Sequence, residues 1–356
     1  MVLLKARFAI LAVIICPISI LTLTSCLPTY LVKSSYNQIK ILNEREPISK
    51  VLERNDITPE LRHKLELALE VRAFAEKELK LKPTENYKTF VDLKRPYVSW
   101  VVSAAKKDAL EPHNFWYPVV GSLPYKGFFT KEEAEAEAQS LKIDGFDVVV
   151  RGVTAYSTLG WFDDPLLSSM VDGADHGLVN VIIHESTHAT LYIKSQAEFN
   201  ERLATYMGNL GTELFYQKRE GQKSSTLKQI ADDNGDERAF SEFITREMNE
   251  LKEWYEKEKK PIPEDRRQEQ FKNIQTHFTK ELLPKLKTKN YQRFAASNLN
   301  NAVLIYYRTY EFDLSDFDKL YDKLDRNLEK FISYCRTLEK SKDPSLELKS
   351  FLSSSR

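Results

Sequence analysis

Five consecutive residues, His184-Glu185-Ser186-Thr187-His188, combine types and spacing that can do metal chemistry. On a helix, positions i and i+4 share one face, so two imidazoles spaced this way can grip one zinc ion. A carboxylate beside the first of them can act as general base on a zinc-bound water. The chain holds only six histidines in 356 residues, so the pattern is a rare accident for its composition. Read blandly, the pair are core histidines held by hydrogen bonds. Both imidazoles would then need buried partners of the kind that one metal ion supplies directly.

A catalytic zinc keeps three protein ligands and one open position. The extended pattern H-E-x-x-H-x-x-G-x-x-H fails, because Leu191 stands at its Gly position and Lys194 at its last His. The other solution is a Glu returned by a second helix. Glu201 suits that role, leaving room after His188 for a helix end near Lys194 and a short turn. Glu213 is the fallback, farther along the same helix, and Glu198 falls in the turn. Glu201 alone is equally a solvated charge at a helix start, where the dipole favours it. Thr205, one turn past Glu201, is either a group that orients a ligand or a helix Thr bonded to its own backbone.

These residues need elements to hold them. No Pro or Gly interrupts Leu178 to Lys194, so one helix carries both histidines. Upstream, Thr58-Pro59-Glu60 opens a helix predicted to reach Lys82. Tyr97 to Val102 reads as a strand, Thr130-Lys131-Glu132-Glu133 as a capping box, and Phe146 to Val150 as a strand after Asp144-Gly145. Val153 to Leu159 is extended. It is expected to be the sheet edge that pairs with substrate through the backbone of Ala155 and Tyr156, the alternative being an interior strand. Asp163, or its neighbour Asp164, could hold a free amine or form the turn before Pro165. Residues 218–290 are charged and mostly helical. Asp232, Asn234 and Asp236 mimic a calcium loop whose later positions fail, so Asn234-Gly235 is expected to be a turn between helices. Pro261-Ile262-Pro263 breaks the helical run again. Ala302 to Tyr310 is an aromatic helix. One of its hydroxyls, with Tyr307 as the candidate, could stabilise an oxyanion; aromatics at this spacing also build cores.

The first 25 residues read as a lipoprotein signal peptide: Lys5 and Arg7, then the apolar run Phe8 to Leu23. Leu23-Thr24-Ser25-Cys26 has the shape of a lipobox, so lipidation is expected at Cys26. The alternative is an uncleaved anchor. By resemblance to the sorting pattern of bacteria with two membranes, Leu27 after the Cys favours the outer membrane facing the periplasm; in a cell with one membrane the protein is expected outside the cell. Cys16 lies in the leader and Cys26 takes lipid, which leaves Cys335 and no internal disulfide. Basic and acidic residues balance at 52 each, so no nucleic-acid partner is expected, and the membrane is reached through lipid.

The stretch Arg151 to Pro165, the zinc motif, Phe199-Asn200-Glu201 to Ala204, Tyr125-Lys126-Gly127-Phe128-Phe129 and Asn300-Asn301-Ala302 together resemble the predicted zinc aminopeptidases of bacteria, many of them lipoproteins. The resemblance covers most of the chain after the leader. It implies an α+β fold: a mainly helical, zincin-like metallopeptidase with a small mixed β-sheet before the zinc helix. It also implies Zn2+ on His184, His188 and Glu201, Glu185 as base, and a peptide substrate. The expected organisation is a signal peptide (1–25), a lipidated tether (26–48) and one peptidase domain (49–356) with a charged helical insertion at about 218–290. Well-known two-His-one-Glu aminopeptidases carry a Gly-x-Met-Glu-Asn segment that holds the substrate amine. This chain lacks it, which leaves an endopeptidase open. A cell-wall peptide amidase would use the same site, and a non-catalytic binding protein with a structural zinc would need a fourth ligand that the sequence does not offer.

Overall fold

A computed structural model describes residues 26–117, 121–155, 162–310 and 314–354. The expected signal peptide, residues 1–25, lies outside the described residues. The chain divides into two units, 1–43 and 44–356. The first contains helix α1 (Cys26–Asn43). No described helix is long and apolar enough to cross a membrane.

The second unit opens with β1 (Glu46–Pro47) and α2 (Ile48–Glu53), then α3 (Pro59–Lys77). Thr58 caps α3 by accepting the Leu61 amide at 3.1 Å. The helix stops five residues short of Lys82, because Leu79 and Leu81 turn into the core and Lys80 takes a left-handed conformation at φ 60°. β2 (Thr89–Val91), β3 (Ser99–Lys106), the pair β4 (Phe115–Tyr117) and β5 (Gly121–Leu123), and β6 (Lys126–Phe128) follow. α4 (Lys131–Ile143) begins where Thr130 accepts the Glu133 amide, and leads into β7 (Phe146–Val153). β8 (Leu166–Leu167) and α5 (Ser168–Val171) then deliver the chain to α6 (Asp175–Thr190).

The fold is α+β and mainly helical, as expected, but the strands form three small sheets rather than one. β1-β2-β8 is mixed, with β2 antiparallel to β1 and parallel to β8. β6-β3-β7 is antiparallel, and β4-β5 is a separate pair. The parallel pairing of Phe90 with Leu166 and Val91 with Leu167 sets where the chain enters α6.

After α6 come α7 (Ala197–Glu220), α8 (Ser225–Lys257), α9 (Glu264–His277), α10 (Asn301–Tyr310), α11 (Ser315–Lys323), α12 (Leu328–Thr337) and α13 (Pro344–Ser353). Asn234-Gly235 is not a turn: α8 runs through it for 33 residues. A helical Gly costs about 1 kcal/mol. Burial of Ile230, Phe240, Phe243 and Ile244 on one side outweighs that cost, and buried Asp236 accepts the Lys287 and Thr288 amides at 3.0 and 2.7 Å. The aromatic core of α8, α9 and α10 gathers around Phe240, Phe278 and Phe294. Buried Arg267 on α9 pairs with buried Asp147 on β7, which also accepts the Asn301 amide at 3.0 Å. That network ties the helical layer to the sheet leading toward α6. Cys335 is buried.

Candidate metal centre

α6 is buried nearly all round, through Leu178, Val179, Ile182 and Ile183. Its hydroxyls are satisfied locally: Ser186 donates to the Ile182 carbonyl at 2.6 Å and Thr187 to that of Ile183 at 2.8 Å. The start of α6 is pinned to α3, where Lys64 and His63 each reach Asp175 at 2.7 Å. The helix ends at Thr190, four residues before Lys194, with Leu191 as cap.

The return to α7 is closed by one side chain. Asn200, 2 % exposed, accepts the Ile193 amide at 2.9 Å and donates to the Ile193 carbonyl at 2.7 Å. This double bond-pair fixes the first turn of α7 and with it the next residue, Glu201. Two glycines then let α7 lie close on α6. A Cβ at Gly211 would stand 2.6 Å from Leu79 Cδ1 and 3.0 Å from Ile183, and one at Gly208 would stand 3.1 Å from Asn180 Oδ1. On its outer face α7 is anchored by Arg202, paired with Asp316 at 2.5 Å, and by Phe199 against Phe317.

The result brings three of the expected residues to one point. Ligand atoms of His184, His188 and Glu201 lie within 4.8 Å of one another, the only such His/Cys/Asp/Glu group among the described residues. The two Nε2 atoms are 3.2 Å apart, and each is 3.5 Å from a Glu201 oxygen. A tetrahedral zinc with ligands near 2.0–2.1 Å needs donor separations of roughly 3.3 Å. The spacing, the two neutral-capable nitrogens and one carboxylate therefore fit zinc. His188 Nδ1 is buried without a hydrogen-bond partner, so this ring is oriented by packing and by its Nε2 contacts.

The electrostatics separate the residues. Burial pushes the Glu185 carboxyl up to about 7; the nearby charges of Glu201 and Asp164 act in the same direction, and His184 opposes them. Burial pulls His188 down to about 4, keeping it neutral at ordinary pH. Burial also works against charge on His184 and Glu201. Their mutual contact outweighs it, holding the His184 pKa above and the Glu201 pKa below the ordinary values.

A family model described as "Putative aminopeptidase" matches residues 29–349. The chain belongs to that family. No curated protein and no solved structure matches it. The family match spans nearly all of the described chain, so in this aminopeptidase family member the three-residue cluster sits inside the matched region.

Other expected site residues fall elsewhere. Tyr307 packs its ring 5.3 Å from both Phe240 and Phe294, in the aromatic core. Its helical spacing with other aromatics built that core, and it is not among the residues lining the cavity beside His184. Ala155 is buried just after β7, while Tyr156 lies outside the described residues. Asp163 is exposed, its carbonyl accepting from Arg45 at 3.0 Å. Asp164 is the buried one of the pair, its amide donating to Asn86 at 2.9 Å. Glu213 lines a separate cavity and Thr205 lines one beside His184.

Sequence reasoning missed two residues near the cluster. Tyr192 sets its ring 6.4 Å from that of His188, and burial together with the Glu201 charge pushes its phenol up. Tyr87 is buried at φ 59°, where a bulky residue is strained, and its hydroxyl has no hydrogen-bond partner. Burial, Glu185 and Asp164 all raise its pKa, so it stands on the Glu185 side of the centre. Tyr192 had one signal, its position four residues past His188; Tyr87 had none.

Proposed function

We propose that the protein is a zinc-dependent peptidase that removes amino-terminal residues from peptides. The observation that carries this reading is the convergence of His184, His188 and Glu201 within 4.8 Å, with Glu185 buried on the same helix turn. Family membership supports peptide hydrolysis. His184, His188 and Glu201 would hold the zinc, which when bound would supply Lewis-acid chemistry for activating water and polarising a carbonyl. Three protein ligands leave a position open for that chemistry, whereas a structural site is closed by four.

The chain supplies the remaining parts. Glu185 takes the proton of the attacking water and delivers it to the leaving amine. A carboxyl whose burial raises its pKa toward neutrality is suited to both transfers. Tyr192, beside His188, donates to the oxyanion of the tetrahedral intermediate. β7 has a paired strand on one side only among the described residues, and the substrate backbone adds along its other edge toward Ala155. Lipid on Cys26 holds the enzyme at a membrane surface, facing the periplasm.

The test is a panel of free-amine aminoacyl reporters and amino-blocked peptides, with and without a chelator. Chelator-sensitive release from the free-amine substrates is expected. Cleavage confined to blocked peptides would replace this reading with an endopeptidase.

A further inference from the structure

A cavity of about 330 Å³ opens directly beside the metal centre, between α6, α7 and α8. His184 forms part of its wall, so whatever fills it lies against the ligand set. The facing stripes are polar: Asn180 and His184 from α6, Thr205 and Asn209 from α7, Asp233 and Glu237 from α8. No lysine or arginine among the described residues lines it. A second cavity of similar size, sharing Ile230 and Asn234 and adding Glu213, continues the groove along α8.

The two carboxylates are positioned rather than loose. Asn180 Nδ2 donates to Asn209 Oδ1 at 2.9 Å, and Asn209 Nδ2 donates to Glu237 at 3.2 Å. Asp233 meets His176 at 3.2 Å and the Asn290 amide nitrogen at 2.8 Å. Among the described residues, Glu237 has one neutral donor and no ion pair with a lysine or arginine; burial holds its pKa above the ordinary carboxylate value, against the opposing Asn209 bond and Arg238 charge. A carboxylate held this way beside an open cavity is stabilised by a cation entering it.

Distance selects the cation. Asn180 precedes His184 by one helical turn, about 6 Å of rise. Glu237 then lies two hydrogen bonds across the groove from Asn180. An α-amine next to the scissile carbonyl stays close to the metal. An ammonium or guanidinium on a long flexible stem reaches the carboxylates while its backbone remains at the metal.

We propose that this cavity is the specificity subsite of the peptidase, taking the lysine or arginine side chain of a residue flanking the cleaved bond, with Glu237 and Asp233 as its anionic partners. The inference rests on the peptidase reading for its turnover arm only. In that arm, kcat/KM is measured for lysyl, arginyl and leucyl anilides with wild type, Glu237→Gln and Asp233→Asn. The lysyl-to-leucyl ratio is expected to fall about tenfold or more in Glu237→Gln and by less in Asp233→Asn. An unchanged ratio overturns the proposal, and so does an equal fall for all three substrates, which would assign the pocket to the α-amine. The second arm is calorimetric binding of Nα-acetyl-lysinamide, which carries the side-chain cation without a free α-amine. Binding to wild type that Glu237→Gln weakens at least tenfold supports the subsite even if no substrate is turned over. Turnover of leucyl substrates with no binding of this probe removes the subsite and leaves the peptidase standing. Circular dichroism of each variant confirms folding, and the conservative Asp233→Asn keeps the test intact if Glu237→Gln does not fold.

Discussion

Asn200 brackets Ile193, accepting its amide at 2.9 Å and donating to its carbonyl at 2.7 Å, both inside the protein. The bracket fixes the turn between the helix of His184 and His188 and the helix of Glu201. It belongs to the candidate metal centre as much as the proposed ligands do, because the next residue is Glu201.

Replacing Asn200 with Ala leaves a buried amide and carbonyl unpaired. Each such loss costs about 1–3 kcal/mol, so Asn200→Ala is expected to lose about 2–6 kcal/mol of unfolding free energy. The zinc dissociation constant should rise at least tenfold. Denaturant unfolding and competition with a metal indicator measure both. Native zinc affinity in this variant would separate the turn from the site.

The raised Glu185 pKa makes a pH prediction for the metal-free protein. The folded state holds this proton to about 7, while the ordinary value is 4.5. Below 4.5 the carboxyl is neutral in both states and costs nothing. As pH rises toward 7 the unfolded chain ionises first, so Glu185 lowers stability progressively, by at most about 3 kcal/mol. Glu185→Gln removes that cost. The variant's gain in unfolding free energy over wild type should be near zero at pH 4 and largest above pH 7. His188 titrates in both proteins and cancels in the difference. A gain independent of pH would contradict the burial of Glu185.

Tyr192 and Tyr307 give opposite expectations. Tyr192→Phe removes the proposed oxyanion donor and should lower kcat about 10²-fold with little change in KM. Tyr307→Phe keeps the ring that packs on Phe240 and Phe294, so turnover should stay within a few-fold. Steady-state kinetics on one anilide substrate decides between them, and the reverse pattern would move the oxyanion role to Tyr307.

Much of the site was legible because it depends on local spacing. His184 and His188 share a face at i and i+4, and Glu201 returns on the next uninterrupted helix. What escaped depends on contacts distant in sequence. Asn234-Gly235 reads locally as a turn, but packing of Ile230 and Phe240 and the bonds from residues 287 and 288 to Asp236 keep α8 continuous. Tyr87, whose pKa the Glu185 charge helps to raise, sits at a left-handed backbone position that its residue type disfavours. The cavity beside His184 is lined from α6, α7 and α8, and no spacing within one helix announces it.

The proposed lipid on Cys26 makes a prediction about localisation. Cys26→Ala should shift the protein from the membrane fraction to the soluble fraction and abolish incorporation of labelled fatty acid. The first described helix contributes no membrane span that could compensate. A variant that stays fully in the membrane fraction would rule out lipid on Cys26 as the anchor.

The central claim is that His184, His188 and Glu201 hold a catalytic zinc served by Glu185. The direct measurement is zinc content together with turnover of a free-amine reporter, for wild type and Glu185→Gln side by side. The expected result is one zinc per chain in both proteins and a loss of at least about 10²-fold in turnover for the variant. Near-normal turnover in Glu185→Gln, or wild type that binds no zinc, would contradict the account.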